Sequence, residues 1–315
     1  RLDFCLQTTL MLHILSQMIL LFGVVMVGFF STKWGFWKPD MNKKMSHFVL
    51  NVSCPMLIIS SVMGEGLEFS TEEIVRLMWV AVVNYAIIFP LSYAVSGVWR
   101  QRDADMSGQL RFMTAFGNVT FVGFPATAAI FGERALFYAA VLTIPFNLLM
   151  YTIGEVSIAG GKARNAIQLK RVLSPCVLAA FITVVLALAK VHTPHLVAQF
   201  FHLAGDMTIP VALIIVGSTL ASMPKRAMLG SRFAYAVSLV RLIVVPLIVY
   251  GVLRLLPIDA FTMQVAVVLS GMPIGVNGVM FCLKFNKDER LMAQSIFLST
   301  ALSMLSIPVL AMLLR

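Results

Sequence analysis

The chain has 315 residues, of which 59% are hydrophobic and 12% charged, with a formal net charge of +10 and a mean hydropathy of +0.91. Ordinary soluble domains are about a quarter charged, so this composition excludes water as the only solvent and points to the lipid bilayer. The basic excess lies scattered through short loops rather than in one stripe or module, which excludes nucleic acid as the partner.

Apolar stretches of bilayer length recur along the whole chain. In the first half they fall near residues 9–30, 46–63, 74–98, 110–131 and 134–158, and in the second near 171–189, 195–222, 231–253, 261–283 and 289–314. The pattern predicts an all-α membrane protein of about ten transmembrane helices, with residues 1–160 and 161–315 as five-helix halves of one integral unit. The first stretch keeps full span length and has no small-residue cleavage site, so it reads as a span rather than a signal peptide. Cys5, Cys54, Cys176 and Cys282 lie in or beside apolar segments with no CxxC pair. They read as buried thiols rather than disulfides or metal ligands.

Alternate loops carry most of the Lys and Arg: Lys33, Lys38, Lys43 and Lys44; Arg100, Arg102 and Arg111; Lys162, Arg164, Lys170 and Arg171; Lys225, Arg226 and Arg232; Lys284, Lys287 and Arg290. The other side has Arg1, Arg76, Arg134, Lys190, Arg254 and Arg315. Basic loops stay in the cytoplasm, which predicts a multi-pass protein of the cell membrane with both termini outside.

Proline markers suggest a duplication. Asn51-Val52-Ser53-Cys54-Pro55 in the second span is answered by Asp206-Met207-Thr208-Ile209-Pro210 in the seventh. Tyr85 precedes Pro90 as Arg241 precedes Pro246, at nearly the same interval. Five spans is an odd number, so a second copy enters the membrane from the opposite face and the repeats are inverted. Chance is the rival explanation, since prolines are common in transmembrane helices.

The fourth span contains Gly117-Asn118-Val119-Thr120-Phe121-Val122-Gly123-Phe124-Pro125, and the ninth Ser270-Gly271-Met272-Pro273-Ile274-Gly275-Val276-Asn277-Gly278. Gly loosens a helix and Pro breaks its bonding. In hydrocarbon such breaks persist where they line a cavity or are buried in protein. Matched breaks in two halves point to a transporter site, because each half-helix N-terminus directs partial positive charge and N–H groups toward an anion. Asn118, Thr120, Gly123, Pro125, Gly271, Pro273 and Asn277 are the candidate substrate-binding residues. The bland alternative is two kinked helices with asparagines bonded across an interface.

Asp206 and Arg241 are ionisable residues deep in the seventh and eighth spans, each the other's expected partner, as a coupling element or as a static ion pair. Glu155, near a helix end, is expected to reach the interface. His192, His195 and His202 lack metal-site spacing, and Asp103 and Asp105 sit among compensating arginines. No nucleotide loop or nucleophile elbow is present, so an enzyme has no visible catalytic set.

At "HFVLNVSCPMLIISS" (47–61), "GNVTFVGFPATAAIFGERALFYAAVL" (117–142), "IPVALIIVGSTLA" (209–221) and "GMPIGVNGVMFCLKFNKDERLMAQSIFLST" (271–300) the sequence resembles the auxin efflux carrier family of bacterial permeases and plant PIN exporters. The resemblance covers essentially the whole chain. It implies two inverted five-helix repeats with broken fourth and ninth helices that cross, and an elevator-like motion of a crossover domain against a scaffold. It also implies an organic acid bound at the crossing, with Asn118 and Pro125 in the first broken segment and Pro273 and Asn277 in the second. The short fifth-to-sixth loop resembles the bacterial branch. The function expected is alternating-access transport of a small carboxylate, such as a dicarboxylate, with no cofactor. Sodium or proton coupling and a homodimer are left open. The alternatives are a membrane-embedded enzyme or a non-transporting sensor.

Overall fold

The computed structural model describes residues 2–63, 69–99, 104–160, 174–191, 193–222 and 231–314, the side chains of residues 2–15, 39 and 104 aside. Arg1, Arg100, Arg102, Asp103, Lys162, Arg164, Lys170, Arg171, His192, Lys225, Arg226, Arg315 and the side chain of Cys5 lie outside the described residues. In chain order the helices are α1 (Leu2–Lys33), α2 (Pro39–Phe48), α3 (Cys54–Ser60), α4 (Thr71–Val98), α5 (Ala104–Ala115), α6 (Val119–Phe131) and α7 (Arg134–Ala159). They continue with α8 (Pro175–Leu188), α9 (His195–Ser222), α10 (Arg232–Leu253), α11 (Ala260–Ser270), α12 (Asn277–Lys284) and α13 (Arg290–Leu313). Six are long and apolar enough to cross a membrane: the Ser16–Lys33 part of α1, and α4, α7, α9, α10 and α13. Shorter apolar helices are α6, α8 and α11.

Local chemistry explains several boundaries. Ser70 and Glu73 form a capping box that starts α4, and the Asp259 carboxylate caps α11 by accepting from the Thr262 N–H at 2.8 Å. Burial pushes the Asp259 carboxyl up, but bonds from Thr262 and the Arg76 guanidinium outweigh it and hold it below the usual carboxylate range. Three prolines, Pro55, Pro125 and Pro246, each sit two residues after the end of a wider π turn: Val49–Ser53, Val119–Gly123 and Val240–Val244. Proline has no N–H and its ring crowds the carbonyl four residues back. The widened turn lets the preceding N–H reach back five residues instead, from Cys54 to Val49, Phe124 to Val119 and Val245 to Val240. In lipid no water is at hand to satisfy those groups otherwise.

The helices pack as two bundles. One contains α1, α2, α3, α8 and α9, with α1 lying along the second half of α9 and α3 held between α8 and the first half of α9. The other contains α4 to α7 and α10 to α13. Glycines set the closest approach in the first bundle. A Cβ on Gly217 would lie 1.9 Å from the Val25 carbonyl oxygen, and one on Gly28 would lie 2.3 Å from that of Ile214. Only glycine admits backbones this close.

The second bundle holds a buried aromatic cluster of Phe112, Phe116, Phe146 and Phe281. Large apolar side chains such as Leu20, Phe181, Val185, Leu196 and Leu203 face outward, as lipid contact requires. Ion pairs gather at the helix ends. Glu73 with Arg134, and Arg76 with Glu72 and Asp259, tie the starts of α4, α7 and α11. Lys287 with Asp105, and Lys284 with Glu155, occupy the opposite end. Glu155 is therefore not an interfacial carboxylate as expected: at 1% exposure it is drawn inside by the Lys284 ammonium.

Candidate functional site

Two stretches expected as spans are split, at residues 116–118 between α5 and α6 and at 271–276 between α11 and α12. The two breaks meet through a single antiparallel bridge between Gly117 and Ile274. The Asn118 N–H donates to the Pro273 carbonyl at 2.6 Å, and the Gly275 N–H donates to the Phe116 carbonyl at 3.0 Å. The Ile274 N–H donates to the Ser299 hydroxyl at 3.1 Å. Main-chain groups released by the breaks thus find partners inside the protein, as a low-dielectric surrounding demands.

Three further carbonyls beside the breaks are taken by Arg241. Its Nε donates to the Met272 carbonyl at 3.0 Å, and its Nη1 donates to those of Thr114 at 2.8 Å and Ala115 at 3.4 Å. At 2% exposure it is the largest fully buried side chain among the described residues. The expected Asp206–Arg241 pair does not form. Asp206 is exposed on α9, and the guanidinium is satisfied by helix ends from two other segments.

α6 and α12 both begin at the bridge, so two helix N-termini converge on one place. Beside them, between the two bundles, lies a cavity of about 590 Å³. Its inner wall is Gly117, Asn118, Val119, Thr120, Phe121, Gly275, Val276 and Asn277. Its other walls come from His47, Leu50 and Asn51, from Phe146, Asn147, Met150 and Tyr151 on α7, from Ser174 to Cys176, and from Met280, Phe281 and Lys284 on α12.

Asn118 has the most telling environment. Its Oδ1 caps α6 by accepting from the Phe121 N–H at 3.3 Å, while its Nδ2, buried in a side chain only 5% exposed, has no hydrogen-bond partner among the described residues. A buried amide donor left unmet costs about 1–3 kcal/mol, and Asn118 is part of the cavity wall. Asn277 is half-buried and donates through Nδ2 to the Met150 sulfur at 3.3 Å.

Of the seven candidate binding residues, Asn118, Thr120 and Asn277 line the cavity, and Pro273 holds the bridge through its carbonyl. Gly123, Pro125 and Gly271 are buried but do not line it. Pro125 lies one turn inside α6 rather than at the break, because the π turn before it absorbs the missing N–H. A Cβ on Gly271 would come within 2.7 Å of the Leu310 side chain, and one on Gly123 would lie 3.1 Å from that of Leu269. The sequence reading missed His47, Asn51, Asn147 and Lys284, which α2, the turn after it, α7 and α12 bring to the cavity from far apart in the chain. Among the described residues no three His, Cys, Asp or Glu side chains gather to hold a metal ion. Cys54, Cys176 and Cys282 are free thiols.

The family profile described as "Membrane transport protein" matches residues 13–311. An "Uncharacterized transporter" of Methanocaldococcus jannaschii is 24% identical over 290 residues, covering 90% of this chain and 93% of that protein. Another "Uncharacterized transporter", of Methanothermobacter thermautotrophicus, is 26% identical over 302 residues, covering 94% and 95%. A Rhizobium meliloti protein named "Putative malonate transporter" is 22% identical over 314 residues, covering 97% of each chain. The chain belongs to the membrane transport protein family, the auxin efflux carrier family that its sequence resembles, and is a multi-pass membrane transporter.

Proposed function

We propose that the protein is a secondary transporter of small carboxylates that binds its substrate where the two broken helices meet. The observation that carries this reading is the buried, unmatched Nδ2 of Asn118, a residue of the cavity wall beside two helix N-termini. A carboxylate oxygen there would accept from the amide and lie in the positive field of both helix ends. Thr120 and Asn277 add polar contacts on the cavity wall, while the Lys284 ammonium there is already paired with Glu155. The relative named as a malonate transporter supports a dicarboxylate of that size.

The test is uptake of labelled malonate, succinate, lactate and glucose into proteoliposomes holding the purified chain. Malonate uptake above empty liposomes is expected, with glucose at background. Malonate uptake at background would remove dicarboxylate transport from the reading.

In our reading the half spanning residues 1–160 and the half spanning 161–315 are inverted repeats of five spans each. The repeated helix breaks and the proline register support this. The α4–α7 and α10–α13 bundle then moves as an elevator against the α1–α3, α8 and α9 bundle, a division supported by the cavity between them. Ser174, which caps the start of α8, and Lys284, at the end of α12, belong to the cavity wall and adjoin the basic loops. In our reading the cavity opens on that side, to the cytoplasm of a cell-membrane protein with both termini outside. In a background without native cysteines, Lys43→Cys and Lys287→Cys should resist an impermeant maleimide on intact cells, while Lys190→Cys and Arg254→Cys should react. The reverse pattern would invert the orientation.

A further inference from the structure

We propose that Arg241 is the resident counter-ion of the crossing, a positioning residue whose guanidinium neutralises the C-terminal ends of α5 and α11. The last carbonyls of a helix lack intrahelical partners and carry partial negative charge. Where half-helices end inside a membrane, such carbonyls and the unwound peptides beside them suit a small bound cation. Here the chain supplies that cation itself. Thr114 and Ala115 close α5, Met272 follows α11, and all three carbonyls accept from the one side chain. A guanidinium is planar, permanently charged and carries five donors in a rigid fork. It therefore bridges carbonyls from two helices that a single ammonium would span less fully.

Gly117 gives an independent mark of the same design. A Cβ at this position would lie 2.2 Å from Arg241 Nη2 and 3.1 Å from its Cζ, so the absence of a side chain is what admits the guanidinium to the bridge. Arg241 does not line the cavity, and its contribution to an anion is indirect. With the two negative helix ends neutralised, the positive ends of α6 and α12 act on the cavity unopposed. The crossing is also charge-balanced without an alkali ion at these carbonyls.

The test reads the melting temperature of purified protein without substrate. Arg241→Ala and Gly117→Ala should each lower it by about 5 °C or more. The double variant should melt only slightly below Arg241→Ala, because the added methyl then has no guanidinium to displace and only the Met272 carbonyl oxygen, 3.1 Å away, still crowds it. Millimolar methylguanidinium should raise the melting temperature of Arg241→Ala and leave the wild type unmoved, as should exchange of choline for sodium in the wild type. Additive losses, absence of rescue, or a saturable sodium-dependent rise in the wild type would each overturn the proposal. If Arg241→Ala does not fold, Arg241→Lys serves as the background, and Gly117→Ala should cost less there than in the wild type; an equal cost overturns it. The effect on anion binding rests on the proposed function, with labelled malonate as the probe: affinity should fall in Arg241→Lys although the cavity lining is unchanged. Absence of malonate uptake by the wild type would remove the dicarboxylate reading and leave the thermal result to decide on Arg241.

Discussion

Replacing Asn118 with aspartate is expected to abolish malonate binding while leaving the fold in place. The aspartate keeps the oxygen that accepts from the Phe121 N–H, so α6 retains its cap. It exchanges the unmatched Nδ2 donor for a negative oxygen, which repels the substrate carboxylate at short range in a water-poor site. Asn118→Ala should weaken binding by about 1–3 kcal/mol, or roughly 5- to 150-fold, for the lost charge-assisted bond. It should also cost about 0.5–2 kcal/mol of stability for the lost cap. Asn277→Ala should do less, since its amide already has the Met150 sulfur as partner. Calorimetry with malonate and initial uptake rates on monodisperse protein read these effects. Malonate affinity equal to wild type in Asn118→Asp would rule the crossing out as the site.

Gly217→Ala should be among the most damaging single-methyl additions in the chain. The new Cβ would meet the Val25 carbonyl oxygen at 1.9 Å and the Phe29 nitrogen at 2.8 Å, both of them backbone atoms that no rotamer change can clear. Overpacking usually costs 1–3 kcal/mol. With two helix backbones to be pushed apart, about 3 kcal/mol is expected, a fall in melting temperature on the order of 5–10 °C. Gly23→Ala, on the same helix α1 and with nothing within 4 Å of the added carbon, is the control and should be neutral. Equal melting temperatures for the two variants would mean that the α1–α9 approach does not limit stability.

The helical, membrane-embedded character was legible because the bilayer imposes a length and a composition that a single sequence displays directly. The segments around Gly117 and Pro273 were legible for a related reason: Gly, Pro and Asn are out of place in a continuous apolar helix. Where each helix stops was less legible. Pro125 looked like the first break, yet the main chain parts at residues 116–118, because a π turn accommodates that proline and nothing in local composition announces which of the two solutions is used.

Arg241 shows the other limit. Its depth in a span was readable, but its partners are carbonyls of Thr114, Ala115 and Met272, groups every residue possesses and no spacing rule can single out. A charged partner was sought because charge is visible in a sequence, and Asp206 was the one on offer. His47 and Lys284 were missed for a similar reason, since they stand on different helices and meet at the cavity only through tertiary packing.

The bridge between Gly117 and Ile274 is made by peptide groups alone. Side-chain replacement cannot delete its two hydrogen bonds, with one exception: proline at position 118 or 275, which removes the donor. Lining side chains that hold neither the bridge nor a helix cap, such as Thr120, can therefore change while the scaffold that presents the cavity stays intact. A lineage with this bridge is free to exchange one cargo for another by altering side chains such as Thr120 or Met280, without an intermediate in which the helices come apart.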